Sequence, residues 1–126
     1  LLKEKNIKKN LSKLIKLFQL HKKYSFVTTL KKLGKKNYNY LSFPDSGYTI
    51  TFDIKYDESV KLFYKILEKQ LNIMNAKIYL TKDSLMDPKH FKKTYFNLPK
   101  FKKIKKLVDK NNVFQSFQSM RLFTSE

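Results

Sequence analysis

Cysteine and tryptophan are absent from the chain, and arginine occurs once, at Arg121. Without cysteine there is no disulfide, no thiolate metal site and no thiol nucleophile. Only two glycines are present, Gly34 and Gly47, and neither stands in a GxGxxG or Walker-type frame. A complete nucleotide-binding domain of the glycine-loop kinds is therefore excluded from these residues. No apolar run approaches the roughly 18–20 residues that a membrane-spanning helix needs. His21 and His90 lie on polar stretches with no partner at ligand spacing, which argues against a metal centre. Ser42, Ser46 and Ser84 have no neighbouring histidine, so no Ser-His-Asp arrangement can be argued. Acidic residues are scarce as well, 10 against 28 basic, for a formal net charge of +18.

What is present suffices for one core. The 126 residues are 41% hydrophobic and 15% aromatic, too apolar for a disordered tail even at this charge. That length fits a single domain. The start at Leu1-Leu2-Lys3 lacks an initiator Met and runs almost at once into a helical pattern, so it reads as a cut through a larger protein. With no targeting signal in the chain, the expected compartment is the cytoplasm.

The charge invites an anionic partner, since lysines that neutralise phosphates release counterions. Its make-up points elsewhere. Twenty-seven of the 28 basic residues are lysine, a point charge without the guanidinium fork that reads phosphate and guanine edges. Residues 1–23 hold eight lysines and one glutamate, and residues 81–110 hold ten lysines and three aspartates. Residues 37–60 carry one lysine against Asp45, Asp53, Asp57 and Glu58. A solvated basic surface is the leading reading, and no nucleic acid is expected. The alternative is a lysine-rich module for nucleic acid or an anionic surface, without catalysis. Steep loss of affinity with salt would mark it.

Periodicity predicts the elements. Ile7, Leu11, Leu14, Ile15 and Phe18 share one helical face over about 4–20. Tyr24 to Leu30 is β-branched and aromatic and reads as a strand, and Pro44-Asp45-Ser46-Gly47 supplies a turn. Tyr48, Ile50, Phe52, Ile54 and Tyr56 alternate with short polar residues, which predicts a strand over 48–56. Asp57 is placed to cap a helix in which Val60, Phe63, Ile66, Leu67, Leu71 and Met74 recur at helical spacing. Lys77 to Thr81 reads as a short strand, Pro88 to Lys110 as helix interrupted at Pro99, and 112–126 shows no clear period. The class is α+β, an antiparallel sheet with helices on one face. One more strand before residue 1 would make it a split βαβ (ferredoxin-like) unit, so the first strand is expected to be missing.

Chemistry could sit in two places. Thr49, Thr51 and Asp53 form the polar face of the best strand, and Tyr79, Thr81, Lys82, Asp83 and Ser84 crowd a second segment. If helices cover the apolar face of the sheet, the polar face meets solvent, a partner domain or a ligand. A lysine there could stabilise negative charge developing in a transition state. The aromatics Phe91, Tyr95, Phe96, Phe101, Phe114 and Phe117, interleaved with lysine, suit base stacking. At helical spacing they equally suit a core.

Leu41-Ser42-Phe43-Pro44, then Gly47 to Asp53, then Ile78 to Ser84 together resemble the C-terminal part of FAD-dependent oxidoreductases of the vanillyl-alcohol-oxidase type. The nearest branch is that of decaprenylphosphoryl-β-D-ribose 2′-oxidases and their aldonolactone-oxidase relatives. Ser25 to Gly34, Asp87 to Tyr95 and Asp109 to Leu122 are similar to further stretches of that branch, so most of the chain is covered. The resemblance implies a C-terminal substrate or cap domain over 1–126, with most of the FAD held by the protein's own N-terminal domain. It implies oxidation of a sugar or sugar-derived alcohol, free or lipid-linked, by hydride transfer to the flavin. The fragment alone would be inactive. Peripheral membrane contact is compatible with a lipid-linked substrate. Position by position, Lys82 matches a lysine that approaches flavin and substrate, as catalytic and cofactor-binding residue. Tyr79 matches a tyrosine beside both. Lys31, Thr49 and Thr51 match substrate-pocket positions; Thr49 stands where asparagine is usual and Thr51 where a reactive cysteine occurs. Lys110, Phe117 and Met120 depart from the branch's closing motif.

Overall fold

The computed structural model describes residues 1–123. Its elements run β1 (Leu2–Lys3), α1 (Ile7–Leu20), β2 (Val27–Leu33), β3 (Gly47–Asp53), α2 (Glu58–Ile73), α3 (Pro88–Thr94), α4 (Leu98–Val108) and α5 (Phe117–Leu122). Short 3-10 turns occupy Glu4–Asn6 and Leu80–Lys82. The class is α+β.

The sheet is antiparallel, in the order β1-β3-β2. Register runs from Val27 opposite Asp53 to Leu33 opposite Gly47, and on the other side Leu2 stands opposite Tyr48. β2 lies three residues later than Tyr24–Leu30. Its start is set by one side-chain and one backbone bond: Asp53 N–H donates to Ser25 Oγ at 2.8 Å, and Phe26 N–H to Asp53 O at 3.3 Å. Lys31 and Lys32 are accepted because an edge strand can present lysine to solvent. β3 stops at Asp53 rather than Tyr56, where its partner runs out. Gly47 is needed where β1 arrives: a Cβ there would fall inside van der Waals distance of the Leu2 carbonyl oxygen, at a φ of +154°.

One strand expectation is corrected. Leu2–Lys3 form a two-residue strand beside β3. Lys77 to Thr81 is not a strand. Lys77 alone exchanges backbone bonds with Leu1, and the chain then tightens into the 3-10 turn. A strand needs a neighbour of its own length, and β1 provides only two residues.

Helices α1 and α2 pack on the Ile50/Phe52 side of the sheet. Phe18 stacks on Phe52 with centroids 4.0 Å apart, and Phe63 meets Phe18 edge-on at 4.9 Å. Leu2, Leu14 and Ala76 are buried beside them, with Ile50, Leu67 and Leu71 packed around. Asp57 occupies the residue before α2, but its carboxylate engages the Ser59 hydroxyl and the Lys23 ammonium instead of the helix backbone.

A second core gathers Met86, Phe91, Tyr95, Leu98 and Leu122, all buried, with Phe101 and Phe123 against them. Pro99 does not interrupt a helix; it sits in the first turn of α4, where its missing N–H costs nothing. The unpatterned tail contains α5, held by a reciprocal capping box between Ser116 and Ser119. The aromatic series divides accordingly: Phe91 and Tyr95 are core, while Phe96, Phe114 and Phe117 are exposed. His90, expected on a polar stretch, is buried, its Nε2 2.9 Å from Ala76 O.

Candidate functional site

A cavity of about 670 Å³ opens between β3, the helices and the 77–82 segment. Lys31 reaches it from β2, Thr49, Thr51 and Asp53 from β3, and Tyr79 and Lys82 from the tight turn. Every residue the sequence singled out by resemblance, Lys31, Thr49, Thr51, Tyr79 and Lys82, therefore lines one space. In the chain the first and last of them stand 51 residues apart. Hairpin pairing sets Lys31 opposite Thr49, so these two share a face of the sheet. Period-2 alternation puts Thr51 and Asp53 on that face too.

The turn that carries Tyr79 and Lys82 is fixed from below. Lys82 N–H donates to Tyr79 O at 3.0 Å, closing the 3-10 turn. Asp83, its side chain 1% exposed, then accepts from the backbone of Leu85 and Met86 at 3.1 and 2.8 Å and pairs with Arg121 at 2.7 Å. Arg121 also donates to Met86 O, and Gln118 Nε2 to Leu80 O at 2.6 Å. Helix α5 thus clamps both ends of the segment that presents Lys82. Sequence reasoning missed this clamp. Its one signal was the solitary arginine in a chain that otherwise uses lysine.

Phe43 forms a wall, its ring 4.6 Å from that of Tyr79. Lys77, also unforeseen, lines the cavity and is half-buried. Its ammonium donates to Ser42 O and lies 4.2 Å over the Tyr95 ring. Burial, then repulsion from Lys36, lowers its pKa below the ordinary lysine value. Tyr64 Oη, at the inner end, is buried without a hydrogen-bond partner among the described residues. Burial, first, and then the Glu68 carboxylate push its pKa well above the usual phenol value. The hydroxyl stays protonated.

The lining thus carries three amines, Lys31, Lys77 and Lys82, against one carboxylate, Asp53. Lys31 and Lys82 have no ionic partner among the described residues, so both charges are available to a ligand. Hydroxyls from Thr29, Thr49 and Thr51 and the Tyr79 phenol add donors and acceptors. By chemistry this lining is complementary to a polar, hydroxylated or anionic molecule with a flat apolar portion against Phe43 and Tyr79. Among the described residues no cluster of three or more His, Asp or Glu forms a metal site. No helix there is long and apolar enough to cross a membrane.

No family model matches the chain. Over 99 residues it is 28% identical to decaprenylphosphoryl-beta-D-ribose oxidase of Mycolicibacterium smegmatis, a match covering 79% of this chain and 22% of that protein. The relationship is distant, and the chain spans about a fifth of the length of the curated relative it matches.

Proposed function

We propose that the chain is the substrate-side domain of an FAD-dependent oxidoreductase that oxidises a sugar or sugar-derived alcohol. The observation that carries the reading is the convergence of Lys31, Thr49, Thr51, Tyr79 and Lys82 on one cavity. Similarity to an oxidase whose name specifies a sugar substrate supports it. The α+β arrangement, with α1 between β1 and β2 and α2 after β3, is compatible with a split βαβ unit.

The lining fits a bound flavin by its donor set, with amines and a phenol around a space walled by aromatic rings. The flavin, when bound, supplies the redox chemistry by accepting hydride from the alcohol carbon. This chain's own residues provide electrostatics and position. Lys82, held by the Asp83–Arg121 clamp, would offer a positive charge to a bound group that gathers negative charge. Tyr79, packed on Phe43, gives a flat contact and a hydroxyl. Lys31 and Thr49, side by side on the sheet, offer a cation and a hydroxyl to the substrate, and Thr51 extends that face. The pyrophosphate end of FAD falls to a separate N-terminal domain of a longer protein, because these residues contain no glycine loop.

The test is made in that longer flavoprotein. Pentoses, their 1-phosphates and aldonolactones are mixed anaerobically with the enzyme while flavin absorbance is followed. With the best substrate, Lys82→Met is expected to slow flavin reduction by roughly a hundredfold, within the range for loss of one transition-state donor, with flavin content unchanged. Reduction at the unaltered rate would remove Lys82 from the chemistry. Absence of bound flavin from the purified protein would sink the whole reading.

A further inference from the structure

A second cleft, of about 790 Å³, adjoins the first cavity at Phe43, Pro44 and Tyr79, which line both. Its other walls are the loop from Asn37 to Ser42, then Leu80 and Thr81, with Tyr95 and Phe101 of the second core behind them. The two spaces differ in charge. Lys31, Lys77, Lys82 and Asp53 line the first, whereas among the described residues no lysine, arginine, histidine, aspartate or glutamate lines the second.

The loop that forms the cleft is held in shape. Asn37 Oδ1 accepts from Asn39 N–H at 3.0 Å, and Asn39 O accepts from Ser42 N–H at 3.1 Å, so two local turns follow each other. Three lysines tie the loop to the rest of the fold. Lys36 carries its ammonium 3.9 Å over the Phe96 ring, Lys77 donates to Ser42 O, and Lys3 pairs with Asp45. Lys36, Lys77 and Lys3 thus spend their charges on the frame, and the space they frame is neutral. Tyr95 gives its hydroxyl to Ile78 O at 2.6 Å, which leaves its ring for the cleft.

Two kinds of group remain to meet a ligand. Tyr38, Tyr40, Phe43 and Tyr79 supply flat aromatic surface, while the amides of Asn37 and Asn39 and the Thr81 hydroxyl supply neutral donors and acceptors. A sugar ring uses both kinds at once. Its C–H face packs on the electron-rich face of an aromatic ring, and its hydroxyls bond to amides. An anion would find no cation here, and an aliphatic chain would take the amides out of water without giving them a partner.

We propose that this cleft binds an uncharged sugar ring, as a site distinct in chemistry from the lysine-lined cavity. The proposal does not depend on the flavin reading, and its experiment uses no flavin.

The test is an amide-resolved NMR titration of the full 126-residue chain with the methyl glycosides of glucose, galactose, mannose, xylose, ribose and arabinose. At least one is expected to shift the side-chain amide signals of Asn37 and Asn39 and the backbone signals of Tyr40 and Thr81 along a saturable curve, with Lys31 and Thr49 unmoved. Raising the salt from low to physiological strength leaves that affinity unchanged, because no charge takes part. Tyr38 is 97% exposed and Asn39 is exposed, so Tyr38→Ala and Asn39→Ala keep the fold, as the rest of the spectrum reports. Each is expected to weaken binding roughly fivefold, the worth of one ring contact or one neutral hydrogen bond. Unsaturable shifts with every glycoside overturn the proposal, as does full affinity in both variants. Tighter binding of glucose 1-phosphate at these residues, or equal shifts with n-hexanol, overturns it as well, in favour of an anion or an apolar chain.

Discussion

The two cores of this molecule differ in closure. The C-terminal one, built on α3, α4 and α5, buries Met86, Phe91, Tyr95, Leu98 and Leu122 to 3% exposure or less. Its polar contents are mostly paired, with Asp83 bonded to Arg121 and Tyr95 Oη donating to Ile78 O at 2.6 Å. The sheet half buries Leu2, Leu14, Ala76, Phe18 and Phe63, yet beside them lies an open cavity along an edge of β3 that, among the described residues, is paired only at Gly47 and Tyr48. Chain length and composition do not account for the contrast, since both halves are rich in lysine and aromatic residues. The closed half supports the Lys82 turn through the Asp83–Arg121 pair, while the open half leaves polar side chains of the sheet facing a cavity.

The contrast can be broken most severely at the clamp. Arg121→Met leaves the Asp83 carboxylate buried without its cation, and a loss of about 3 kcal/mol or more is expected, as for one partner of a buried pair. Urea denaturation measures it. A loss below about 1 kcal/mol, the range of exposed pairs, would mean that water takes the place of the guanidinium.

Truncations in the two cores sharpen the comparison. Leu98→Ala empties a site enclosed on all sides and should cost about 3 kcal/mol. Leu67→Ala lies against existing void and forfeits fewer contacts, so about 1 kcal/mol is expected. Equal costs would show that the sheet-half cavity is collapsed in solution.

The gentlest probe is pH. Burial, chiefly, lowers the His90 pKa below its ordinary 6.5, so the unfolded chain binds that proton more readily, and stability is full above pH 6.5 and falls as pH drops below it. Physically, Nε2 already bonds Ala76 O, and Nδ1 has no acceptor among the described residues for a second proton. His90→Gln should flatten the melting-temperature profile below pH 6.5, and a slope unchanged by the substitution would place the imidazole in water.

Much of the fold was legible from local pattern. The alternation from Tyr48 to Phe52 and the apolar spacing in 7–18 and 60–74 correspond to β3, α1 and α2, since side-chain periodicity is a property of consecutive residues. Element ends were less legible, because β2 and β3 begin and stop where their partner does. The candidate site was visible as residue types and order, through resemblance. That Lys31, Thr49, Thr51, Tyr79 and Lys82 share a cavity came only with the fold.

By itself, then, the amino-acid order marked α1, β3 and α2, excluded thiol and glycine-loop chemistry from these residues, and singled out Tyr79 and Lys82. Tertiary structure alone decided that Lys77 opposes Leu1, that His90 is buried, that Arg121 holds Asp83 from 38 residues away and that β1 pairs with β3 only at Gly47 and Tyr48. Each of those rests on contacts between distant parts of the chain. Their energies depend on burial and geometry that no run of neighbouring residues encodes.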